Sequence, residues 1–303
     1  MTEVWKCEKI HFAKSHDSDC IISITSISKA SVMAASVIAK TVGGDIDLFG
    51  HEGQAQMYRE FRPVYPDQLV EYVVSQIPDS DRKLYIDVAC GSGQLTCKLG
   101  KFFDTVVGVD KSFEQLGQAK DTNVEWKPGS AFELFAQSGT VNLLTVAQGL
   151  HWLLPYDRFF KEVDRVLKPG GYFAAVAYAF PKLLNPELNK VVEHFYVDIL
   201  GGRKSPGDPG CLWETNRPTI DGFYADVPFP CEHQTKHFIE QLSLTVDHYT
   251  NYLRTLSAYR TLMRTASPIP DPIDVIREQL SAVVSSGFVD VEIDFFVVSY
   301  MRV

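Results

Sequence analysis

The segment Leu84-Tyr85-Ile86-Asp87-Val88-Ala89-Cys90-Gly91-Ser92-Gly93-Gln94-Leu95-Thr96 passes from an apolar run of strand length through a turn of small residues into helix-forming sequence. Gly91 and Gly93 lack the Cβ that keeps a ligand off the main chain, so such a turn brings backbone close to whatever it holds. The helix that follows points its free N-terminal amides and positive dipole end at the same place. A second apolar run, Thr105-Val106-Val107-Gly108-Val109, ends at Asp110, where a carboxylate is placed to take the two hydroxyls of a ribose. Together the two units describe a nucleoside-binding crevice.

The same alternation continues along the chain. Strands are expected over 84–89, 105–110, 123–126, 141–147 and 172–179, and helices over 94–102, 113–119, 131–136 and 156–167. Short, nearly continuous apolar strands separated by amphipathic helices imply a parallel sheet covered on both faces. Two helices, 53–62 and one opening at Pro66, precede the sheet. After Ala179 the pattern changes: residues 180–232 are rich in Pro, Gly and aromatic side chains, with one helix over 186–200. Helices over 244–263 and 272–285 follow, and Val291, Ile293, Phe295 and Val297 then alternate with Glu292 and Asp294 as a closing strand. The expected organisation is an extension over 1–45, poorly ordered, and one α/β domain over 46–303 carrying a partly helical insertion at about 180–265.

Composition narrows the partners. A formal net charge of -9 opposes attraction to nucleic acid or an anionic membrane and favours a small molecule. No apolar run reaches the roughly 20 residues of a membrane helix. The six cysteines form no CxxC pair, so free thiols in a reducing, cytoplasmic compartment are expected. Glu3, Glu8, Asp17 and Asp19, with no arginine before Arg59, speak against a transit peptide. Asp290, Glu292 and Asp294 share one strand face and read as solvated; no H-E-x-x-H motif occurs, and no metal is expected.

The glycine turn has Thr96 where a dinucleotide fingerprint wants its third glycine, and the chain contains no P-loop motif. Gly129-Ser130-Ala131 follows the third strand at the place where an adenine edge would lie. S-adenosylmethionine suits this set better than NAD or ATP.

The combination resembles the class I S-adenosylmethionine-dependent methyltransferases. Asp87-Val88-Ala89-Cys90-Gly91-Ser92-Gly93 stands as the glycine motif, Val106-Val107-Gly108-Val109-Asp110 as the strand with the ribose acid, and Val166-Leu167-Lys168-Pro169-Gly170-Gly171-Tyr172-Phe173 as the entry to the fifth strand. Tyr58-Arg59-Glu60-Phe61-Arg62-Pro63-Val64-Tyr65-Pro66, Ala147-Gln148-Gly149-Leu150-His151-Trp152 and Tyr252-Leu253-Arg254-Thr255-Leu256-Ser257-Ala258-Tyr259 resemble the trans-aconitate methyltransferase-like, type 11 branch. The resemblance implies a Rossmann-like, seven-stranded, mostly parallel sheet whose last strand is antiparallel, with helices on both faces and the insertion after strand five. It also implies that Asp87 and the backbone of Ala89, Cys90, Gly91, Ser92 and Gly93 hold the methionine part, Asp110 the ribose, Ser130 and Ala131 the adenine, and that Gln148 lines the site. Tyr58, Arg62 and Tyr65 would form a flap over the cofactor, with Tyr65 toward the acceptor. Ala89 departs from the family's usual glycine.

Methyl transfer needs a nucleophile aligned opposite the leaving sulfur and water kept out. A carboxylate acceptor is already ionised at neutral pH; a phenol, amine or thiol calls for a base, and His151 beside Trp152 is the candidate. Arg62 offers a planar fork to the methionine carboxylate or to an acidic acceptor, and Trp213, Arg254 and Tyr259 are candidates for the acceptor pocket. The expected activity is O-methylation of a small carboxylate-bearing metabolite. The alternatives are a silent cofactor-binding module that works through a protein partner, and a protein methyltransferase. A nucleic-acid enzyme would want Asn/Asp-Pro-Pro-aromatic where Ala147-Gln148-Gly149-Leu150 stands. The sequence assigns no oligomeric state.

Overall fold

The computed structural model describes residues 54–202, 211–213, 224–265 and 270–303, and the extension over 1–45 lies outside them. Pro63 separates helices α1 (Gln54–Phe61) and α2 (Asp67–Ser75), and α2 buries Leu69, Val70, Val73 and Val74. Strand β1 (Leu84–Val88) then leads through the glycine turn into α3 (Gln94–Gly100), followed by β2 (Thr105–Asp110), the short α4 (Phe113–Leu116) and β3 (Glu125–Pro128). Strand β4 (Val141–Ala147), helix α5 (Tyr156–Val166) and strand β5 (Leu167–Tyr178) complete the parallel part.

Beyond it come the two-residue β6 (Lys182–Leu183), α6 (Pro186–His194), β7 (Gln234–Thr245), α7 (Val246–Arg254), α8 (Ser257–Thr265), α9 (Pro272–Val283) and β8 (Phe288–Met301). The strand order is β3-β2-β1-β4-β5-β8, with β7 on the outer side of β8 and β6 continuing the line of β5. As expected, the last strand is antiparallel to its neighbours; the sheet counts eight strands once β6 is included. The order reverses between β1 and β4, and at such a switch point the crossovers diverge and leave a crevice at the carboxyl ends of the strands.

Both faces of the sheet are covered. Tyr85 and Leu143 belong to one core cluster, with Leu69 and Val73 of α2 and Leu95 and Leu99 of α3. Their chain neighbours Ile86 and Leu144 belong to the other, with Phe159, Val163 and Val166 of α5. Each such large side chain contributes about 1.5–3 kcal/mol when fully buried, so the alternation along β1 and β4 fixes the register of the site-bearing strands.

The structure corrects four local expectations. Residues 131–136 form no helix: their backbone groups are satisfied from α5, with Glu162 accepting the Leu134 amide and Arg165 donating to the carbonyls of Leu134 and Ala136, both at 3.0 Å. The helix expected over 244–263 starts at Val246, capped by the Thr245 hydroxyl, and breaks between Arg254 and Ser257. The helix expected over 186–200 widens into a π-helical turn at Phe195–Ile199. Strand β7 was not anticipated; Phe238, Leu242 and Leu244 share one face but Glu240 and Ile239 break the alternation and Phe238 is its single buried residue, yet it pairs with β8 along its whole length.

Candidate active site

The turn after β1 is shaped by unusual backbone. Gly91 and Gly93 have φ of 56° and 80°, and Ala89 shares the left-handed region at 53°, as does Gln148 at the end of β4 with 54°. A non-glycine residue held there costs on the order of 1–3 kcal/mol, and such strain gathers at ligand sites. A Cβ on Gly93 would come within 2.3 Å of the Trp126 ring, which packs from β3 over the turn. A Cβ on Gly149 would meet that of Ala89 at 2.9 Å.

Asp110 ties the turn to the end of β2. Its Oδ2 accepts the Gly91 amide at 2.8 Å and its Oδ1 the Ser112 amide at 2.8 Å, while the Ser112 hydroxyl caps α4. Beneath the turn, Asp87 is fully buried; its carboxylate accepts from Thr145 Oγ1 at 2.6 Å and Thr96 Oγ1 at 2.5 Å. Tyr85 OH lies 2.8 Å from the same Thr145 oxygen. Burial pushes the Asp87 carboxyl up to about 6, against the pull of the two threonine hydroxyls.

A cavity of about 630 Å³ opens at the switch point. Its lining includes Asp110, Ser112, Phe113 and Phe132, the 89–92 turn, and Tyr58, Tyr65, Gln148 and Trp152. Its volume lies within the range of about 300–1,000 Å³ usual for small-ligand sites. Of the residues singled out from sequence, Tyr58, Tyr65, Ala89, Cys90, Gly91, Ser92, Asp110, Ser130, Ala131, Gln148 and Trp152 border it. The free thiol of Cys90 is buried, and burial raises it far above the ordinary thiol range.

The others sit behind this wall. Gly93 caps α3 under Trp126, and Asp87 braces β1 against β4 and α3. His151 is 2% exposed on a single turn, its ring 5.4 Å from Trp152, and does not border the cavity. Arg254 forms ion pairs with Asp271 at 3.2 Å and Asp274 at 2.7 Å, and Tyr259 donates to Asp271 at 3.0 Å. That network fastens α7 and α8 to the start of α9. Trp213 is buried against Phe180 with ring centroids 5.5 Å apart. Arg62 donates to Tyr178 OH at 3.2 Å and to the Thr255 carbonyl at 3.1 Å, with the Tyr58 ring 4.6 Å from the guanidinium carbon.

Sequence reasoning missed Phe113, Phe132, Lys111 and Leu153 on the wall. Phe113 stands 72% exposed three residues after Asp110, and an aromatic side chain at the first position of the short helix that follows β2 was the available signal. Among the described residues no three His, Cys, Asp or Glu side chains gather as a metal site would, and no helix is long and apolar enough to cross a membrane.

An open sheet that reverses order at β1/β4, with a glycine turn, an acid at the tip of β2 and a nucleoside-sized cavity between them, defines a Rossmann-like nucleoside-cofactor enzyme. Comparison with known proteins gives the family. The family model described as a methyltransferase domain matches residues 86–175. A Dictyostelium discoideum protein named as a methyltransferase is 33% identical over 239 residues, covering 77% of this chain and 85% of the relative. A Saccharomyces cerevisiae protein named as an S-adenosylmethionine-dependent methyltransferase is 22% identical over 253 residues, covering 75% and 86%. Among solved structures, a type II methyltransferase from Anaeromyxobacter dehalogenans aligns with a TM-score of 0.65 and 28% identity, over 80% of this chain and 98% of that one. The chain belongs to the S-adenosylmethionine-dependent methyltransferases, and S-adenosylmethionine is its cofactor.

Proposed function

We propose that this enzyme methylates a carboxylate oxygen of a small cytoplasmic metabolite, as a member of the trans-aconitate methyltransferase-like branch. The observation that carries the reading is the make-up of the cavity wall: among the described residues that border it, Asp110 is the one acid and none is a histidine. Both Asp110 oxygens already accept main-chain amides. A wall without a free base suits an acceptor that is its own nucleophile at neutral pH, and a carboxylate is one.

The residues present fit the cofactor. Gly91 leaves room where a side chain would stand, Asp110 keeps lone pairs for ribose hydroxyls beside its two amide bonds, and Ser130 and Ala131 edge the adenine end. When bound, S-adenosylmethionine supplies a methyl group on an electrophilic sulfonium. The protein's part is to hold that group in line with an acceptor oxygen, to which alignment contributes up to about 7–11 kcal/mol. Tyr58 and Tyr65 cover the cavity on one side and Trp152 on another, excluding water. His151, packed against Trp152, orients that wall. The net charge of -9 is consistent with a small-molecule acceptor rather than nucleic acid or an anionic membrane.

The test is transfer of radiolabelled methyl from S-adenosylmethionine to a panel of small carboxylic acids, followed by alkaline hydrolysis. Base-labile methyl esters are expected. Base-stable products, or label entering only protein, would replace the reading with amine or protein methylation, and failure to bind the cofactor would end it.

A further inference from the structure

Arg62 is 9% exposed, yet among the described residues no Asp or Glu lies within ion-pair distance of it. Its surroundings are tyrosines: the Tyr178 hydroxyl, the Tyr58 ring at 4.6 Å and the Tyr252 ring at 5.4 Å. The buried Nε has no hydrogen-bond partner. The buried hydroxyls of Tyr196 and Tyr252 are grouped with one another and with that of Tyr249, and Tyr252 is close enough to Arg62 to feel its charge. Tyr196 sits on the π-helical turn after α6, stacked on Phe180 at 4.1 Å, and such turns recur at functional sites. A dehydrated cation with an unspent Nε–H, a tyrosine hydroxyl beside it and no acid is the complement of an anion.

Placement decides which anion. Arg62 is bonded to the end of β5 through Tyr178 and to the α7–α8 junction through Thr255, both on the side of the segment that follows β5. The glycine turn and Asp110 belong to β1 and β2. Tyr58 borders the cavity while its ring covers the guanidinium, and Gln148, also on the wall, donates to the Tyr178 carbonyl at 3.4 Å.

We propose that Arg62, with Tyr252 beside it, is the subsite for a carboxylate of the methyl acceptor, reached when the Tyr58 ring turns aside. The inference rests on the methyl-transfer reading above. The guanidinium fork presents Nε and a terminal nitrogen to the two oxygens of one carboxylate, an arrangement that lysine cannot reproduce. The methionine carboxylate of the cofactor has the same chemistry, and the experiment separates the two sources.

The full chain, saturated with S-adenosylhomocysteine, is titrated calorimetrically with succinate, glutarate and 3-phenylpropionate, and with their amides. At least one acid is expected to bind and its amide not to. Arg62→Met should weaken that binding ten-fold or more, and Arg62→Lys in part, with S-adenosylhomocysteine affinity held within two-fold. Tyr252→Phe, which removes one hydroxyl and keeps the ring, should cost several-fold in acid affinity in a protein that melts normally. The proposal is overturned if wild type binds none of the acids or if Arg62→Met binds them equally well. It is also overturned if Arg62→Met loses S-adenosylhomocysteine ten-fold but not 5′-methylthioadenosine, which lacks the carboxylate and would mark the cofactor as the source. Normal cofactor binding in any of these outcomes leaves the methyl-transfer reading standing; loss of cofactor binding by wild type removes both.

Discussion

The Gly91 amide donates to Asp110 Oδ2 at 2.8 Å, so the turn that would face the cofactor and the acid that would hold its ribose are one hydrogen-bonded unit. Asp110→Asn places an NH₂ group against one of two main-chain amides that both need an acceptor. The expected result is a ten-fold or greater rise in the S-adenosylhomocysteine Kd, about 1.4 kcal/mol, read by calorimetry. Unchanged affinity would separate Asp110 from the ribose.

Asp87 predicts an inverted pH response. Its folded carboxyl, near 6, lies above the ordinary 3.8, so between those values the native state holds a proton that the unfolded chain has released. Asp87 therefore subtracts stability as pH rises through this window, and subtracts it fully above about 6. Asp87→Asn keeps an acceptor for one threonine and a donor for the other. It should raise unfolding free energy at pH 7.5 by roughly 2–3 kcal/mol and leave it nearly unchanged at pH 4. Urea melts at the two pH values check both arms.

Gly93 and Trp126 should behave as a coupled pair. Gly93→Ala adds a methyl 2.3 Å from the indole and strains a residue at φ 80°. A loss of about 2–4 kcal/mol is expected. In Trp126→Leu, where the ring edge is gone, the same change should cost much less; a double-mutant cycle gives the difference. Strict additivity would mean that the indole does not set the space above the turn.

Arg254 and Tyr259 are expected to act on stability rather than on the acceptor. Arg254→Ala breaks the contacts to Asp271 and Asp274 and should destabilise by about 1–2 kcal/mol, and Tyr259→Phe by about 1 kcal/mol. With the fold intact at low temperature, KM for an acid acceptor should stay within two-fold of wild type. A large KM change with unaltered melting would return these residues to the acceptor pocket.

The parallel half of the sheet was legible because β1, β2, β4 and β5 are buried on both faces and write that burial as apolar runs. The turn and Asp110 were legible because only small residues and an acid do what that corner requires. Residues 131–136 misled because their composition is helical while distant Glu162 and Arg165 supply their hydrogen bonds. Strand β7 left no trace because its surface is mostly exposed and what holds it is the ladder to β8, with polar pairs such as His237–Asp294 and Gln241–Glu292, rather than a buried apolar face. Of the site, residues contributed by consecutive chain around the glycine turn were found. The depth of Asp87, His151 and Arg62 was not, since burial at these positions depends on elements far away in sequence.

The contact of 2.9 Å that a side chain at Gly149 would make with Ala89 ties the two positions together. The two lips of the crevice share one methyl group's worth of space, and here position 89 has taken it. With alanine at 89 a side chain at 149 must displace it, and with glycine at 89 the remaining obstacle to a methyl group at 149 is the Val146 side chain at 3.2 Å, so the two positions constrain each other.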